Sequence, residues 1–256
     1  MKDLRNASQV GRLQFLSEAA RREIYVAVLD ILTKVGMRVD HEEATAMLLD
    51  AGCSLTGDER ILMPRHLVEQ ARRSVPPVVD VYDRAGEPAM ELGGYNSYFG
   101  TGSDLLFTRD LETGEHRPSR LDDVARAARL CDALPNIDFI MSSAHPTDTK
   151  PHQAYLLSFQ AMMTNSVKPL VMTAENGADL GVMIDIARAL RGGSDQLRRR
   201  PYFVVYNEPT SPLTHPVDSI DKLLLCADAG VPSIYSPAPL AGATATITVA
   251  GHTVQG

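Results

Sequence analysis

The chain has no tryptophan, and aromatic residues make up only 5% of its 256 residues. Cysteine is scarce: Cys53, Cys131 and Cys226 are odd in number and far apart, which argues against a disulfide framework and against a CxxC metal motif. The two on predicted helix faces are expected to be small buried hydrophobes. Positive charge is in deficit, with 25 Lys and Arg against 32 Asp and Glu, a net charge of -7. That leaves no basic face to neutralise phosphates, so no nucleic-acid partner is expected. No apolar stretch approaches the roughly 20 residues of a membrane helix. The start, Met1-Lys2-Asp3-Leu4-Arg5-Asn6, leads into no apolar signal region. No membrane partner is expected, and a cytoplasmic location is. The G-x-S-x-G elbow, the P-loop and the zinc motifs are missing. Gly100-Thr101-Gly102 lacks the third glycine and following helix of a dinucleotide fingerprint. His145 and His152 are poorly spaced for a metal pair, with no nearby Cys or third His, so no metal site is expected.

What is present is ordinary for a soluble globular protein: 44% hydrophobic and 22% charged residues. The length suits one large domain or two small ones. Residues 1–16 are mixed and expected to be poorly ordered. Ser17 is a candidate N-cap, and Ile24, Val28, Ile31, Leu32 and Val35 form a helical stripe that stops at Gly36. Helices are predicted over 41–50 and 65–74, with a strand at 60–63 between them and Pro64 opening the second. This predicts a small α-rich N-terminal segment, residues 1–76. Strands follow at 78–82 and 89–92, then a hairpin of 105–109 with 115–117.

From Ser119 the pattern is regular. Helices are predicted over 120–134, 152–164, 179–190 and 217–229, alternating with strands at 137–142, 169–173, 202–206 and 233–235. On the last helix Val217, Ile220, Leu223, Leu224 and Ala227 recur at helical spacing. The strands repeat every ~32 residues, as in a parallel βα array. Apolar runs such as Phe203-Val204-Val205-Tyr206 open into polar, Pro- and Gly-rich loops such as Asn207-Glu208-Pro209. Polar residues gather at the strands' C-terminal ends, where a barrel builds its site, so residues 77–256 are read as the first part of a (β/α)8 barrel. The fold class is therefore α/β, a partial TIM barrel after an α-rich segment. With Tyr98-Phe99 as a first strand, at most about five of the eight barrel strands are accounted for. A truncated form of a longer enzyme is the expectation; a complete small doubly wound sheet is the alternative.

At the strand ends stand Asp104, Ser142-Ser143-Ala144-His145, Thr173-Ala174-Glu175-Asn176, Asn207-Glu208 and Ser236, with Tyr98, Phe99, Tyr206 and Tyr235 beside them. Carboxylates among aromatic rings are the ingredients of a site for a cationic amine, through charge pairing and cation–π attraction. Acids and amides in such places also cap helices, and Asn176 or Asp104 could do only that. His215, before a helix, suits capping or loop packing, and Met162, Met163, Met172 and Met183 suit core gaps.

Three stretches carry a resemblance: Tyr98-Phe99-Gly100-Thr101-Gly102-Ser103-Asp104, the strand and loop from Val204 through Tyr206-Asn207-Glu208-Pro209 to Leu213, and Pro239-Leu240-Ala241-Gly242-Ala243-Thr244 with Ala250-Gly251. Together they resemble the trimethylamine:corrinoid methyltransferase family, which includes pyrrolysine-free glycine betaine methyltransferases. The resemblance implies a TIM barrel that moves a methyl group from a quaternary or tertiary amine to the cobalt of a corrinoid (cobalamin) carried by a partner protein, in one-carbon metabolism and methanogenesis. It implies substrate contacts from Asp104, Glu175, Tyr206, Asn207, Glu208, Tyr235 and Ser236, and corrinoid contacts from Gly242, Thr244 and His145. No catalytic residue is assigned, and a homo-oligomer is expected. The family's chains are nearly twice as long, and Thr246-Ile247 stands where a Pro and a small apolar residue are expected. The alternative function is a non-catalytic half-barrel that binds a corrinoid protein or a partner subunit.

Overall fold

The computed structural model describes residues 14–255; residues 1–13 of the stretch expected to be poorly ordered lie outside the described residues. Helices and short strands alternate in a mixed α/β arrangement, and the described residues form no closed barrel. The chain divides into two compact units. One comprises Pro77–Tyr206 and Lys222–Ile234; the other comprises the described residues up to Pro76, Asn207–Asp221, and the described residues from Tyr235 onward.

The first unit is built on a parallel sheet. Leu170–Met172 pairs in parallel with Phe203–Asn207, Leu170 opposite Phe203 and Met172 opposite Val205. Ser233–Tyr235 flanks Phe203–Asn207 on its other side, where the Val205 N–H donates to the Pro232 carbonyl at 2.9 Å. Single parallel bridges continue the order outward, Ile140 to Leu170 and Phe139 to Gly100. The strand positions therefore follow one another in chain order. The strand expected over 137–142 shrinks to two bridge residues, and the one at Tyr98-Phe99 to a bridge at Gly100. The physical reason is a side chain standing in for the ladder: Thr101 Oγ1 accepts from the Met141 N–H at 2.8 Å and donates to the Met141 carbonyl at 3.0 Å.

Strands buried on both faces need cover on both. On one face Ile140, Leu170, Met172, Phe203 and Val205 join Phe159, Met162, Leu180 and Met183 from the helices Ala154–Asn165 and Gly177–Arg191. The rings of Phe159 and Phe203 meet edge-on, 5.5 Å apart. On the other face Val171 and Val204, with Phe139, Met141 and Tyr206, pack against Val81 and Met90 of the hairpin Val78–Tyr82/Pro88–Gly93. The hairpin is tied to residues that precede the strands, Tyr82 N–H to Pro201 O at 2.8 Å and Arg84 N–H to Val167 O at 2.7 Å. It thus covers the sheet from the strands' N-terminal ends. Helix Leu121–Ala133 joins the first of these faces, adding Val124, Ala128 and Cys131 to the cluster of Ile140, Leu170 and Phe159. Cys53, Cys131 and Cys226 are all buried and free.

The second unit starts with helix Glu18–Lys34, whose N-cap Ser17 accepts from the Ala20 N–H at 3.1 Å. Gly36 ends it at φ 72°, where a Cβ would lie 2.4 Å from the Ile61 carbonyl oxygen. A four-stranded sheet follows, in the order Thr214–His215, Met37–Val39, Arg60–Leu62, Ser54–Leu55. All four strands are only two or three residues long, and Met37–Val39 pairs in parallel with a strand far along the chain. His41 caps helix Glu42–Asp50: its Nδ1 accepts from the Ala44 N–H at 3.1 Å, and its Nε2 lies 2.9 Å from Asp221 Oδ1. Helix Val249–Gln255 closes the described chain.

Helix Val217–Ala229 corrects one expectation. Its buried positions are Ser219, Lys222, Cys226 and Ala229, while Val217 and Ala227 are exposed. Apolar spacing placed the buried face wrongly because two polar residues, each hydrogen-bonded, occupy it.

Candidate functional site

In the first unit the loops that follow the first two strand positions, at Gly100 and at Phe139–Ile140, are laced together. The Ser143 N–H donates to Gly102 O at 3.0 Å, and the His145 N–H to Leu105 O at 2.9 Å. Asp104 holds a left-handed backbone, φ 60°. Its N–H donates to the buried Ser142 Oγ at 3.3 Å, and that hydroxyl reaches Asp104 Oδ1 at 3.5 Å. Asp104 therefore braces a loop and caps no helix, which leaves its second carboxylate oxygen for other work.

Tyr155, in the first turn of Ala154–Asn165, meets the His145 ring edge-on at 5.4 Å. Burial pushes its phenol up to about 12, and the negative charges of Asp104 and Glu175 push the same way. The hydroxyl stays protonated at neutral pH and lies within electrostatic reach of both carboxylates. Glu175 is exposed, just past Leu170–Met172. Its neighbour Asn176 is the N-cap of Gly177–Arg191, accepting from the Asp179 N–H at 2.9 Å. Lys222, 8% exposed, donates from Nζ to Ala174 O at 3.2 Å, one residue before Glu175. In the first unit Asp104, Ser142 and His145, all named from the sequence, lie in the joined loops with Tyr155; Glu175 acts on Tyr155 through its charge, and Lys222 holds the backbone next to Glu175. Tyr206 is half-buried against the cluster of Val81, Met90, Val171 and Val204 on the hairpin's face of the sheet.

The second unit holds the remaining candidates. Asn207 is 2% exposed; its Nδ2 donates to Ser219 O at 2.7 Å and its Oδ1 accepts from the Glu208 N–H at 3.1 Å. Ser219 Oγ donates to Glu208 O at 2.6 Å, and the Ser236 N–H to Asn207 O at 3.1 Å. The Asn207 side chain thus ties a strand end to a helix start, while Glu208 is exposed. Tyr235 OH lies 2.7 Å from His215 Nδ1, the two rings stacked at 5.6 Å. Gly242 (φ 78°) and Thr244 belong to a turn closed on itself: Gly242 N–H to Ala245 O at 3.0 Å, Leu240 N–H to Thr244 Oγ1 at 2.9 Å.

Tyr155 and Lys222 escaped the sequence reading. Tyr155 lay inside a predicted helix, away from the strand ends. Lys222 had a signal, the lone cation of its helix, set just before Leu223-Leu224-Leu225. Among the described residues no group of three or more His, Cys, Asp or Glu side chains could hold a metal ion, and no helix is long and apolar enough to cross a membrane.

A mixed α/β chain with carboxylates, a tyrosine and a histidine grouped at the C-terminal ends of parallel strands has the layout of a small-molecule enzyme site. Comparison with known proteins places it further. The family model for trimethylamine methyltransferase (MTTB) matches residues 3–256, and the chain belongs to that family. It is 29% identical over 235 residues to trimethylamine methyltransferase MttB of Desulfitobacterium hafniense (strain DSM 10664 / DCB-2), covering 90% of this chain and 47% of that protein. It is 26% identical over 241 residues to glycine betaine methyltransferase of Desulfitobacterium hafniense (strain Y51), covering 94% and 50%. To trimethylamine methyltransferase MttB of Methanosarcina thermophila it is 24% identical over 264 residues, covering 97% and 53%. The chain spans about half the length of these curated relatives.

Proposed function

We propose that the protein takes part in moving a methyl group from a quaternary or tertiary methylated amine to the cobalt of a corrinoid held by a separate protein. The observation that carries this reading is the family match across residues 3–256. The negative charges of Asp104 and Glu175 acting on Tyr155 support it, because a methylated ammonium ion is held by negative charge and an aromatic wall, and a quaternary one has no N–H to donate. In this reading Glu175 meets the cationic nitrogen by charge, Tyr155 offers its ring, and Lys222 fixes the backbone that aims Glu175. As the methyl leaves, the electron pair of the C–N bond stays on nitrogen and a neutral amine departs, so a quaternary substrate requires no proton transfer. The Co(I) corrinoid supplies the nucleophile.

Nothing at Gly242, Thr244 or His145 offers a cobalt ligand set. The Gly242–Thr244 turn satisfies itself, with Leu240 63% exposed beside it, and His145 packs on Tyr155. Such residues suit surfaces against which a partner-held ring system lies, with cobalt ligation left to the partner. We further propose that the parallel array is part of a TIM barrel, because its strands follow chain order, whereas doubly wound sheets reverse order at a switch point. An α-rich segment over 1–76 before that array, a cytoplasmic location and a homo-oligomer belong to the same proposal.

The test mixes the purified chain with a corrinoid protein reduced to Co(I) and with trimethylamine, tetramethylammonium or glycine betaine, and follows the cobalt absorbance. Methyl transfer that is lost in Glu175→Gln with an unchanged circular dichroism spectrum supports the reading. Unchanged substrate binding in both Glu175→Gln and Glu208→Gln overturns the charge pairing. Because the chain spans half its relatives' length, a second reading stands beside it, a non-catalytic module that binds the corrinoid protein or a partner subunit. Co-elution with the corrinoid protein and no methyl transfer would favour that one.

A further inference from the structure

The second unit contains a cavity of about 330 Å³, at the small end of the range for ligand sites. One wall is Val28, Ile31 and Leu32, the i, i+3, i+4 face of helix Glu18–Lys34. These residues belong to the helical stripe read from the sequence, and all three are only half-buried. The stacked His215–Tyr235 pair also lines it. Among the described residues no Asp, Glu, Lys or Arg lines the cavity.

We propose that this cavity binds a small uncharged ligand, an apolar or aromatic body of about one ring bearing a single polar group that is read by the hydrogen-bonded His215–Tyr235 pair. An ion would enter without a counter-charge, which is costly in a half-enclosed apolar site. A purely apolar guest would leave the pair's remaining polar valence unmet. Burial lowers the pKa of His215 and pushes Tyr235 up to about 12, so both rings are neutral around pH 7 and suited to a neutral guest. The proposal assigns Tyr235 to this cavity and removes it from the amine site, and it stands whether or not methyl transfer is found.

Phenol is the probe. Isothermal titration and saturation-transfer NMR on the full chain are expected to show one phenol bound per chain, with a rise in Tm. Tyr235→Phe keeps the ring and loses the hydroxyl, and should weaken binding about five- to tenfold, the size of one hydrogen bond. Ile31→Trp fills the cavity and should abolish binding; if it does not fold by circular dichroism, Leu32→Phe serves the same purpose. No binding of phenol would overturn the proposal. So would binding that neither Tyr235→Phe nor the filling variant alters, or phenol displaced by tetramethylammonium, which would mark a cation site.

Discussion

At the scale of the residue, Asp123 shows how one carboxylate can serve three elements. It accepts from Arg117 through two bonds of 2.7 and 2.9 Å and from the Arg120 N–H at 2.9 Å, so it joins the hairpin Phe107–Arg109/His116–Pro118 to the first turn of helix Leu121–Ala133. The Arg117 guanidinium holds its carboxyl below the ordinary value of 3.8, and the Arg120 N–H adds to that. A carboxylate depressed in the folded state stabilises above its unfolded pKa, and that contribution is lost as pH falls through the folded value. Asp123→Asn should therefore cost about 1 kcal/mol at neutral pH, the size of a lost cap with the ion pair discounted for solvent. Its gap to the parent should close as pH drops below about 4. Denaturant unfolding of both proteins from pH 7 to pH 2.5 measures this; a gap that persists at the acid end would show that the charge is not the cause. At this scale the sequence was a mixed guide. Asn176 was legible as a cap, and the two helix-face cysteines and four methionines as buried filler, because local spacing decides both. Tyr155 was not, since its place beside Asp104 and Glu175 depends on how separate loops close.

At the scale of the element, Gly100 marks how closely the single bridge left of the strand readable as Tyr98-Phe99 is packed. A Cβ on Gly100 would lie 2.3 Å from Phe139 Cε2, closer than side-chain atoms approach, so the Phe139 ring packs directly on the glycine backbone. What resembled a fragment of a dinucleotide fingerprint is a packing requirement of two neighbouring strand positions. Gly102, two residues on, has nothing within 4 Å of its would-be Cβ. Gly100→Ala should then push Phe139 out of its cluster with Val81 and Val204, costing about 1–3 kcal/mol as overpacking does. Gly102→Ala should be within ~0.5 kcal/mol of the parent. Equal effects from the two, measured by chemical denaturation, would refute the packing account. Helices were the legible elements, because their periodic faces and caps are local. Some short strands were legible too, Arg60–Leu62 and Leu170–Met172 among them, but Met37–Val39 was not: it exists through pairing with Thr214–His215, and no local pattern reports a partner so remote.

At the scale of the whole molecule, the chain's path matters more than either unit's packing. It runs through the second unit to Pro76, builds the first unit to Tyr206, returns for Asn207–Asp221, leaves for Lys222–Ile234 and returns again from Tyr235. Each crossing falls inside or beside a regular element: Phe203–Asn207, Val217–Ala229 and Ser233–Tyr235 all have residues in both units. A helix or strand cannot keep half its hydrogen bonds while the other half melts without fraying across the boundary, since helix and ladder formation are cooperative. Melting either unit therefore removes an end of an element that the other depends on. The regular βα spacing made the parallel array visible in sequence, whereas this interleaving was not, because it arises from a two-residue strand, Thr214–His215, inserted between two units of that array. Differential scanning calorimetry is expected to show one transition whose calorimetric and van't Hoff enthalpies agree. Leu29→Ala in the second unit and Phe159→Ala in the first, both at positions almost fully buried, should each lower that single Tm. Two resolved transitions, with each substitution moving only its own, would mean that the shared helix and strands break at the boundary and that the units are thermodynamically separate.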